Sequence, residues 1–356
     1  MDRAIEAARK GLGSTAPNPA VGAVIVRGDD LLAEGTTRPV GGLHAEVVAL
    51  EAARLAGVEV GGATMYITLE PCCHHGRTPP CTDALVDSGI RRVVVGVVDP
   101  FPLMRGNGLR QLREAGIEVV LGVRAERCAE VVRGFARAVT AGLPEVSCKV
   151  ASTLDGHIAA HDGQSQWITG EGARQHGHLL RAQHDAILVG IGTVLADDPR
   201  LTCRVREGAD PVPVVLDSAL RIPADAALFD HPRRPVVLCA QDAPDRDLSA
   251  DVVRIARGSR GIDIEAGLRA LVQHGLHRVL VEGGGRVHRS LFDARLVDTL
   301  YLYLGGLVLP GGIPWLGGEP AQDLASAPRL GTPVVERVGD DLLLRYPVRH
   351  RLDEEG

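Results

Sequence analysis

Side chains that bind metals and move protons cluster in the first hundred residues of the chain. His44-Ala45-Glu46 begins a predicted helix, and the segment from Glu70 to Cys81 holds three cysteines and two histidines before a second predicted helix. The partial positive charge of helix N-termini favours the thiolate form of nearby cysteines. One imidazole and two thiolates leave the fourth tetrahedral position of zinc open, which is typical of a catalytic site.

Glu46 follows His44 by two residues in the same helical turn. A carboxylate that does not bind the metal can move the proton of a zinc-activated water, so the pattern predicts hydrolysis with Glu46 as general acid/base. Two simpler interpretations stay open: reactive surface thiols, or a closed structural zinc knot. The knot would use Cys72, Cys73, His75 and Cys81.

A second candidate site lies later in the chain, at Glu282-Gly283-Gly284-Gly285. This segment falls between a predicted strand and a predicted helix, where bare amides can approach a phosphate. It lacks Gly-x-Gly-x-x-Gly spacing and therefore does not predict a Rossmann site, and a tight turn would explain it equally well. Arg181 and Arg204 suit a clamp for a substrate phosphate, although either one alone is an ordinary surface arginine.

The elements that must position these residues alternate between strand and helix patterns. In residues 1–144 the units repeat every 25 to 30 residues or so, which predicts an α/β domain with a mostly parallel sheet. A predicted helix, Arg124–Ala141, and the turn Gly142-Leu143-Pro144 mark a boundary. The alternation restarts after it, so residues 145–356 are predicted to form a second, larger α/β domain.

Composition narrows the class of protein. The chain has 356 residues, 45% hydrophobic and only 3% aromatic, with a net charge of −6, which disfavours nucleic-acid binding. The uncharged run from Thr299 to Gly318 is interrupted by glycine and proline, so it predicts a strand and loops, not a membrane span. Seven cysteines and no apolar leader indicate free thiols and a cytoplasmic protein.

His-x-Glu followed by Pro-Cys and a later Cys resembles the zinc deaminase signature. The usual Pro-Cys-x-x-Cys is absent, because His75 takes the second cysteine's place and Cys81 lies nine residues after Cys72. Together with the segment Pro17-Asn18-Pro19-Ala20-Val21-Gly22-Ala23-Val24, this loop resembles the deaminase half of bacterial bifunctional riboflavin biosynthesis enzymes of the RibD type.

The resemblance implies a cytidine-deaminase-like fold and a role for each matching residue. It implies that zinc is bound by His44, Cys72 and Cys81, with Cys73 only a neighbour. The implied substrate contacts are Asn18, His74, Arg77 and Asp99.

Two positions depart from the family pattern. The usual Asp-Pro-Asn-Pro reads Asp99-Pro100-Phe101-Pro102, and the usual histidine seven residues before the ligand histidine is Thr37. Both changes remove or alter a polar group at a candidate substrate contact. The alternative function is therefore that of a reductase whose deaminase half is impaired.

Four ordered segments of the second domain resemble the reductase half of the same family, which has a dihydrofolate-reductase-like fold and uses NADPH. They are Lys149–Gly156, Ser165–Thr169, Val189–Pro199 and Val281–Gly285. The implied NADPH contacts are Ala151, Trp167, Thr193, Asp197, Ser218, Gly284, Gly285, Arg286, Val287, His288, Arg289 and Ser290. The implied substrate contacts are Ser165, Arg181, Leu201, Arg204 and Glu282.

Lys149 and Glu282 are the candidate catalytic residues of this half, with Lys149 near the ribose being reduced. On the residues alone, Lys149 fits a sheet edge and Trp167 fits a core position. The resemblance implies deamination of 2,5-diamino-6-ribosylamino-4(3H)-pyrimidinone 5′-phosphate, then NADPH reduction of 5-amino-6-(5-phosphoribosylamino)uracil. We expect small-molecule substrates, a homodimer, and no nucleic-acid or membrane partner. A zinc-stabilised binding protein without turnover is a third alternative.

Overall fold

The computed structural model describes residues 1–76, 79–205, 209–259, 261–319, 323–324 and 327–348. The chain is α/β and divides into two compact units, Met1–Leu143 and Pro144–Gly356. Each unit has its own main sheet. Within the described residues, no helix combines the length and the apolar character needed to cross a membrane.

The first unit contains five strands and five helices in its described part. The strands are β1 (Gly22–Arg27), β2 (Asp30–Thr36), β3 (Thr64–Leu69), β4 (Arg92–Val97) and β5 (Glu118–Leu121). The helices are α1 (Asp2–Arg9), α2 (Ala45–Leu55), α3 (Cys81–Asp87), α4 (Asn107–Glu114) and α5 (Ala125–Ala141). The strand order in the sheet is β2-β1-β3-β4-β5.

The prediction of a mostly parallel sheet is wrong for this unit. β4 is parallel to β3 and β5, but β1 is antiparallel to both β2 and β3. The physical reason is the two-residue connection Gly28-Asp29, with Gly28 at φ +60°, which closes β1 and β2 into a tight hairpin. Strand β2 was not predicted.

Helices cover both faces of this sheet. A Cβ on Gly22 would lie 2.0 Å from the carbonyl oxygen of Ala4 in α1, and one on Gly35 would lie 2.2 Å from that of Ala45 in α2. Gly22 pairs with Thr36, the residue after Gly35, so the two glycines face opposite sides of the sheet. These close approaches set α2, and with it the metal-binding motif, against one face.

The second unit is built on a nine-stranded sheet. The strands are β6 (Glu145–Thr153), β7 (His157–Ala159), β8 (Ala186–Gly190), β9 (Val212–Leu216), β10 (Val236–Ala240), β11 (Asp251–Ile255), β12 (Arg257–Gly258), β13 (Gly261–Ile262), β14 (Arg278–Gly283), β15 (Thr299–Gly305), β16 (Ile313–Pro314), β17 (Val334–Val338) and β18 (Asp341–Pro347). The helices are α6 (Glu171–Ala182), α7 (Ile191–Asp197), α8 (Ile264–Gln273), α9 (Gly285–Asp293) and a 3₁₀ turn at Ala227–Asp230.

The order in the nine-stranded sheet is β11-β10-β9-β8-β14-β6-β15-β18-β17. Neighbours from β11 to β15 are parallel, and the last two pairs are antiparallel. A mostly parallel sheet, as expected for alternating strands and helices, is present in this unit. Helix α7 and the exposed strand β17 were not predicted.

Strands β6 and β14 lie side by side at the centre of this sheet. Cys148 pairs with Val281, which places the following residues, Lys149 and Glu282, next to each other on the same face. Helix α6 covers this face, where its residue Leu180 packs with Leu280 and Tyr303. The central strands thus bring both candidate catalytic residues of the second unit together.

Candidate active sites

Three metal-binding side chains converge in the first unit. His44 is the residue before α2, Cys81 is the first residue of α3, and Cys72 lies in the loop after β3. The Nδ1 atom of His44 lies 3.5 Å from the Sγ of Cys72 and 3.3 Å from the Sγ of Cys81. The Cys81 backbone N–H also donates to the Cys72 Sγ at 3.3 Å.

These distances fit a zinc ion. Zinc holds nitrogen at 2.0–2.1 Å and sulfur at about 2.3 Å, so a tetrahedral site sets such ligand atoms about 3.5 Å apart. Among the described residues, His44, Cys72 and Cys81 form the one group of three whose ligand atoms all lie within 4.8 Å. Cys73 and His75 are not in this group, so these three residues would leave the fourth position of a tetrahedral zinc ion open.

The protonation of the two thiols agrees with a metal site. A hydrogen bond from Cys81 lowers the pKa of Cys72 to about 4. The same contact raises the pKa of Cys81, since two adjacent thiols cannot both ionise without a cation between them. The Cys72 hydrogen bond raises the pKa of His44. A divalent cation would allow both sulfurs to be thiolates and the imidazole to be neutral.

Glu46 lies in the first turn of α2 and is buried, with 4% of its surface exposed. Burial, and then the negative charge of Cys72, raise the pKa of Glu46 to about 7. A carboxyl group with this pKa can take up and release a proton near neutral pH.

A cavity of about 260 Å³ opens beside His44, Glu46 and Cys72. Three of the expected substrate contacts reach it from separate segments: Asn18, His74 and Asp99. Asp99 follows β4, and burial raises the pKa of its carboxyl group to about 6. Arg77, the fourth expected contact, lies outside the described residues.

The two departures from the family pattern also line this cavity. The hydroxyl of Thr37 accepts a hydrogen bond from the Val21 backbone N–H at 3.2 Å, so it helps to join β1 and β2. Phe101 contributes an apolar wall together with Met104, Phe135 and Val139. Sequence reasoning missed the last three, and Phe135 and Val139 lie on α5, far along the chain from the motifs.

In the second unit, Arg181 and Glu282 form a two-point ion pair. The Nε and Nη2 atoms of Arg181 each lie 2.8 Å from a carboxylate oxygen of Glu282, and Nη1 donates to the Thr202 carbonyl. Burial alone would raise the pKa of Glu282, but Arg181 and then Lys149 outweigh it and hold the pKa at about 2. Arg181 is therefore committed to Glu282 and differs from the open phosphate clamp that was predicted.

Lys149 lies beside this pair. Its Nζ is 5.8 Å from the ring centroid of Tyr303, and the absence of a side chain at Gly177 leaves room for it under α6. In the described part of the chain, Lys149 has no hydrogen bond or ion pair. Its ammonium group is thus available to a ligand.

The remaining expected substrate contacts lie on loops. Arg204 is exposed, Ser165 is half-buried, and Leu201 is buried. Sequence reasoning missed His178 of α6, whose pKa is lowered first by burial and then by the charges of Arg181 and Arg204. Arg204 is therefore close enough to act electrostatically on the same side of α6.

Several of the expected NADPH contacts lie at the turn between β14 and α9. A Cβ on Gly283 or Gly284 would lie 3.5 or 3.7 Å from the Thr193 hydroxyl oxygen. This glycine cradle beside the N-terminus of α9 fits a cofactor phosphate. The side chain of His288 is buried, with its ring nitrogens 3.4 Å from the Val281 and Trp315 carbonyl oxygens, so only its backbone faces this cradle.

The other expected cofactor contacts lie on several elements of the second unit. Trp167 is 67% exposed, and the Arg174 guanidinium lies 4.5 Å from its ring centroid. Ser218 lies against the β12–β13 hairpin, where a Cβ on Gly261 would be 2.8 Å from its hydroxyl. The other expected contacts have exposed or half-buried side chains: Ala151, Asp197, Arg286, Val287, Arg289 and Ser290.

Two protein families match the two units. Residues 1–97 match the cytidine and deoxycytidylate deaminase zinc-binding region, and residues 144–344 match the RibD C-terminal domain. The first match contains His44, Glu46 and Cys72. The second contains Lys149, Arg181 and Glu282.

Similar proteins match along almost the whole chain. The riboflavin biosynthesis protein RibD of Actinobacillus pleuropneumoniae is 39% identical over 98% of this chain and 94% of its own length. That of Escherichia coli strain K12 is 36% identical, over 97% of each chain. The crystal structure of a diaminohydroxyphosphoribosylaminopyrimidine deaminase/5-amino-6-(5-phosphoribosylamino)uracil reductase from Thermotoga maritima is similar at a TM-score of 0.89, with 39% identity, covering 98% of this chain and 97% of that one.

Proposed function

The chain belongs to the RibD family of riboflavin biosynthesis proteins, and from this premise we propose that it is a bifunctional enzyme of that pathway. Its first unit hydrolyses the 2-amino group of 2,5-diamino-6-ribosylamino-4(3H)-pyrimidinone 5′-phosphate. Its second unit uses NADPH to reduce the ribosyl chain of the product, 5-amino-6-(5-phosphoribosylamino)uracil, to a ribityl chain. The observation that carries the proposal is the convergence of His44, Cys72 and Cys81 beside the buried Glu46.

Hydrolytic deamination needs a nucleophilic oxygen and a proton for the leaving amine. His44, Cys72 and Cys81 would hold zinc, which would supply the Lewis acidity that makes water a nucleophile near neutral pH. Glu46 would accept a proton from the attacking water on a carboxylate oxygen and deliver it to the departing 2-amino group, which leaves as ammonia. Asn18, His74 and Asp99 hold the pyrimidine and its substituents in the cavity.

Reduction of the ribosyl chain needs a hydride, which bound NADPH supplies, and a proton. The glycine cradle and Thr193 would hold a phosphate of the cofactor at the N-terminus of α9. Lys149, which lies next to Glu282 on the same face of the sheet, supplies the proton to the sugar. Arg181 fixes the carboxylate of Glu282, and Arg204 binds the substrate phosphate from the exposed loop.

No observation favours a reductase with an impaired deaminase. Thr37 joins two strands and Phe101 adds an apolar wall, while His44, Glu46, Cys72 and Asp99 line the same cavity, and Cys81 converges with His44 and Cys72. We also propose that the enzyme acts in the cytoplasm as a homodimer. Light scattering on the purified protein measures its oligomeric state.

Metal analysis combined with an ammonia assay tests the proposal. Purified protein is expected to contain one zinc ion per chain and to release ammonia from the diaminopyrimidinone phosphate. Removal of zinc with a chelator should stop ammonia release, and NADPH oxidation with the deaminated substrate should continue. A zinc-free protein that releases ammonia at the full rate would contradict the proposal.

A further inference from the structure

One buried carboxylate next to the metal site has no role in the mechanism above. Glu70 is the residue after β3, two positions before Cys72, and only 3% of its surface is exposed. Its carboxylate accepts four backbone N–H groups. Its own N–H donates to the Val97 carbonyl at 2.9 Å, which fixes it to the neighbouring strand.

All four donors belong to one loop and the helix that follows it. Oε2 accepts from Asp99 at 3.0 Å and from Gly106 at 2.9 Å. Oε1 accepts from Gly108 at 2.9 Å and from Leu109 at 3.4 Å. Glu70 therefore ties together both ends of the loop and satisfies N–H groups in the first turn of α4, which lack intrahelical partners.

The loop between these anchors forms part of the cavity. Asp99, Phe101 and Met104 line it, and Asp99 Oδ1 accepts the N–H of Phe101 at 2.8 Å. None of these residues is a zinc ligand. A shift of the loop would therefore alter contacts to the pyrimidine without removing the metal or Glu46.

The backbone around Glu70 is built for this contact. A Cβ on Gly108 would lie 2.2 Å from the Pro71 carbonyl oxygen and 3.2 Å from Oε1 of Glu70, so glycine permits the close approach. Gly106 has φ +91°, a left-handed conformation that glycine adopts without strain.

We propose that Glu70 is a positioning residue for substrate binding, which holds the 99–109 loop against the deaminase cavity through four backbone hydrogen bonds. The inference rests on the proposed deaminase function. A carboxylate that accepts four N–H groups cannot be replaced by an amide without turning a donor toward another donor. Glu70→Gln should therefore displace the loop although its size is unchanged.

The test compares Glu70→Gln and Gly108→Ala with the wild-type chain in the ammonia assay, well below the unfolding temperature. For both variants the KM for the diaminopyrimidinone phosphate should rise about tenfold or more and kcat should fall less, because the loop acts on binding. Zinc content and NADPH oxidation with the deaminated substrate should remain unchanged. Hydrogen exchange should increase in residues 98–110. Glu114→Gln, which changes an exposed carboxylate on α4, is the matched control and should leave KM unchanged.

Two results would overturn the inference. An unchanged KM in folded variants, with only a lower Tm, would make Glu70 merely structural. Loss of zinc from the variants would mean that Glu70 positions the metal ligands and not the loop. Should Glu70→Gln not fold, Gly108→Ala decides alone, because its methyl group would push the start of α4 away from the Pro71 carbonyl and from the Glu70 carboxylate. A wild-type chain that releases no ammonia would instead contradict the proposed function.

Discussion

The Arg181 guanidinium and the Glu282 carboxylate face each other with two parallel N–H···O contacts of 2.8 Å, under helix α6. Both side chains are largely buried, at 18% and 10% exposure. In such a pair each charge is stabilised by its partner, because water cannot reach either group to replace that partner. Both residues were predicted as substrate contacts, and in this structure the Arg181 guanidinium is paired with the Glu282 carboxylate.

The first prediction concerns this pair. Arg181→Ala leaves the Glu282 carboxylate buried and unpaired, and should lower the free energy of unfolding by about 3–5 kcal/mol. The control Arg257→Ala removes the exposed pair with Asp242 and should leave the free energy of unfolding almost unchanged, because solvent screens that pair. Urea denaturation of both variants measures the difference. Equal costs for the two substitutions would contradict a buried, interdependent pair.

The second prediction separates the zinc ligands from their neighbour. Cys72→Ser and Cys81→Ser should each remove most of the zinc, since a serine hydroxyl is a poor zinc ligand beside a thiolate. Cys73→Ser should keep it, because Cys73 is not among the three converging side chains. Metal content of the purified variants is the measurement. Equal loss from Cys73→Ser and Cys72→Ser would show the ligand assignment to be wrong.

The third prediction concerns pH and His184. Burial, and then the charge of Arg278, lowers the pKa of His184 from 6.5 to about 3 in the folded state. The unfolded chain therefore takes up this proton first, and stability should fall as the pH drops from about 6.5 toward 3, by a few kcal/mol in all. His184→Asn should flatten that decline, measured by urea unfolding at pH 7 and pH 4.5. His161→Asn, at an exposed histidine, is the control and should not.

The fourth prediction treats the second unit as an independent reductase. A fragment from Pro144 to Gly356 has its own sheet and core and should fold alone. It should oxidise NADPH with the deaminated ribosylaminouracil phosphate. Within it, Arg204→Ala should raise the KM for this substrate more than the KM for NADPH, since Arg204 is assigned to the substrate phosphate. A folded fragment that never consumes NADPH with this substrate would remove the second activity.

The metal site could be predicted from sequence motifs, whereas part of the cavity lining could not. His44, Glu46 and the cysteines stand in short, ordered patterns, so their chemistry could be predicted from residue type and spacing. Phe135 and Val139 reach the same cavity from α5, where they look like any apolar residues of an amphipathic helix. Only tertiary packing brings them there.

Individual strands could be predicted where they are buried and consist of an unbroken run of hydrophobic residues. Strand β4, with its run of valines, and β8, buried along its whole length, give clear signals. Strand β2 has few buried residues and strand β17 is exposed, so neither has a clear hydrophobic pattern. Each forms a strand because it pairs with its neighbour in the sheet. The Gly28-Asp29 turn was the available sign of the β1–β2 hairpin. The pairing of Arg181 with Glu282 left no sign, since the two lie 101 residues apart.

The two units are proposed to act in sequence on one substrate, and one experiment tests this sequence directly. With the diaminopyrimidinone phosphate as the sole substrate, ammonia release and NADPH oxidation are followed together in the wild-type chain and in Glu46→Gln. The wild type should release one ammonia for each NADPH oxidised, with ammonia appearing first. Glu46→Gln should keep its zinc but lose both signals by about 100-fold or more, and NADPH oxidation should return when the deaminated intermediate is supplied. NADPH oxidation by Glu46→Gln at the wild-type rate on the undeaminated substrate would contradict the order of deamination before reduction.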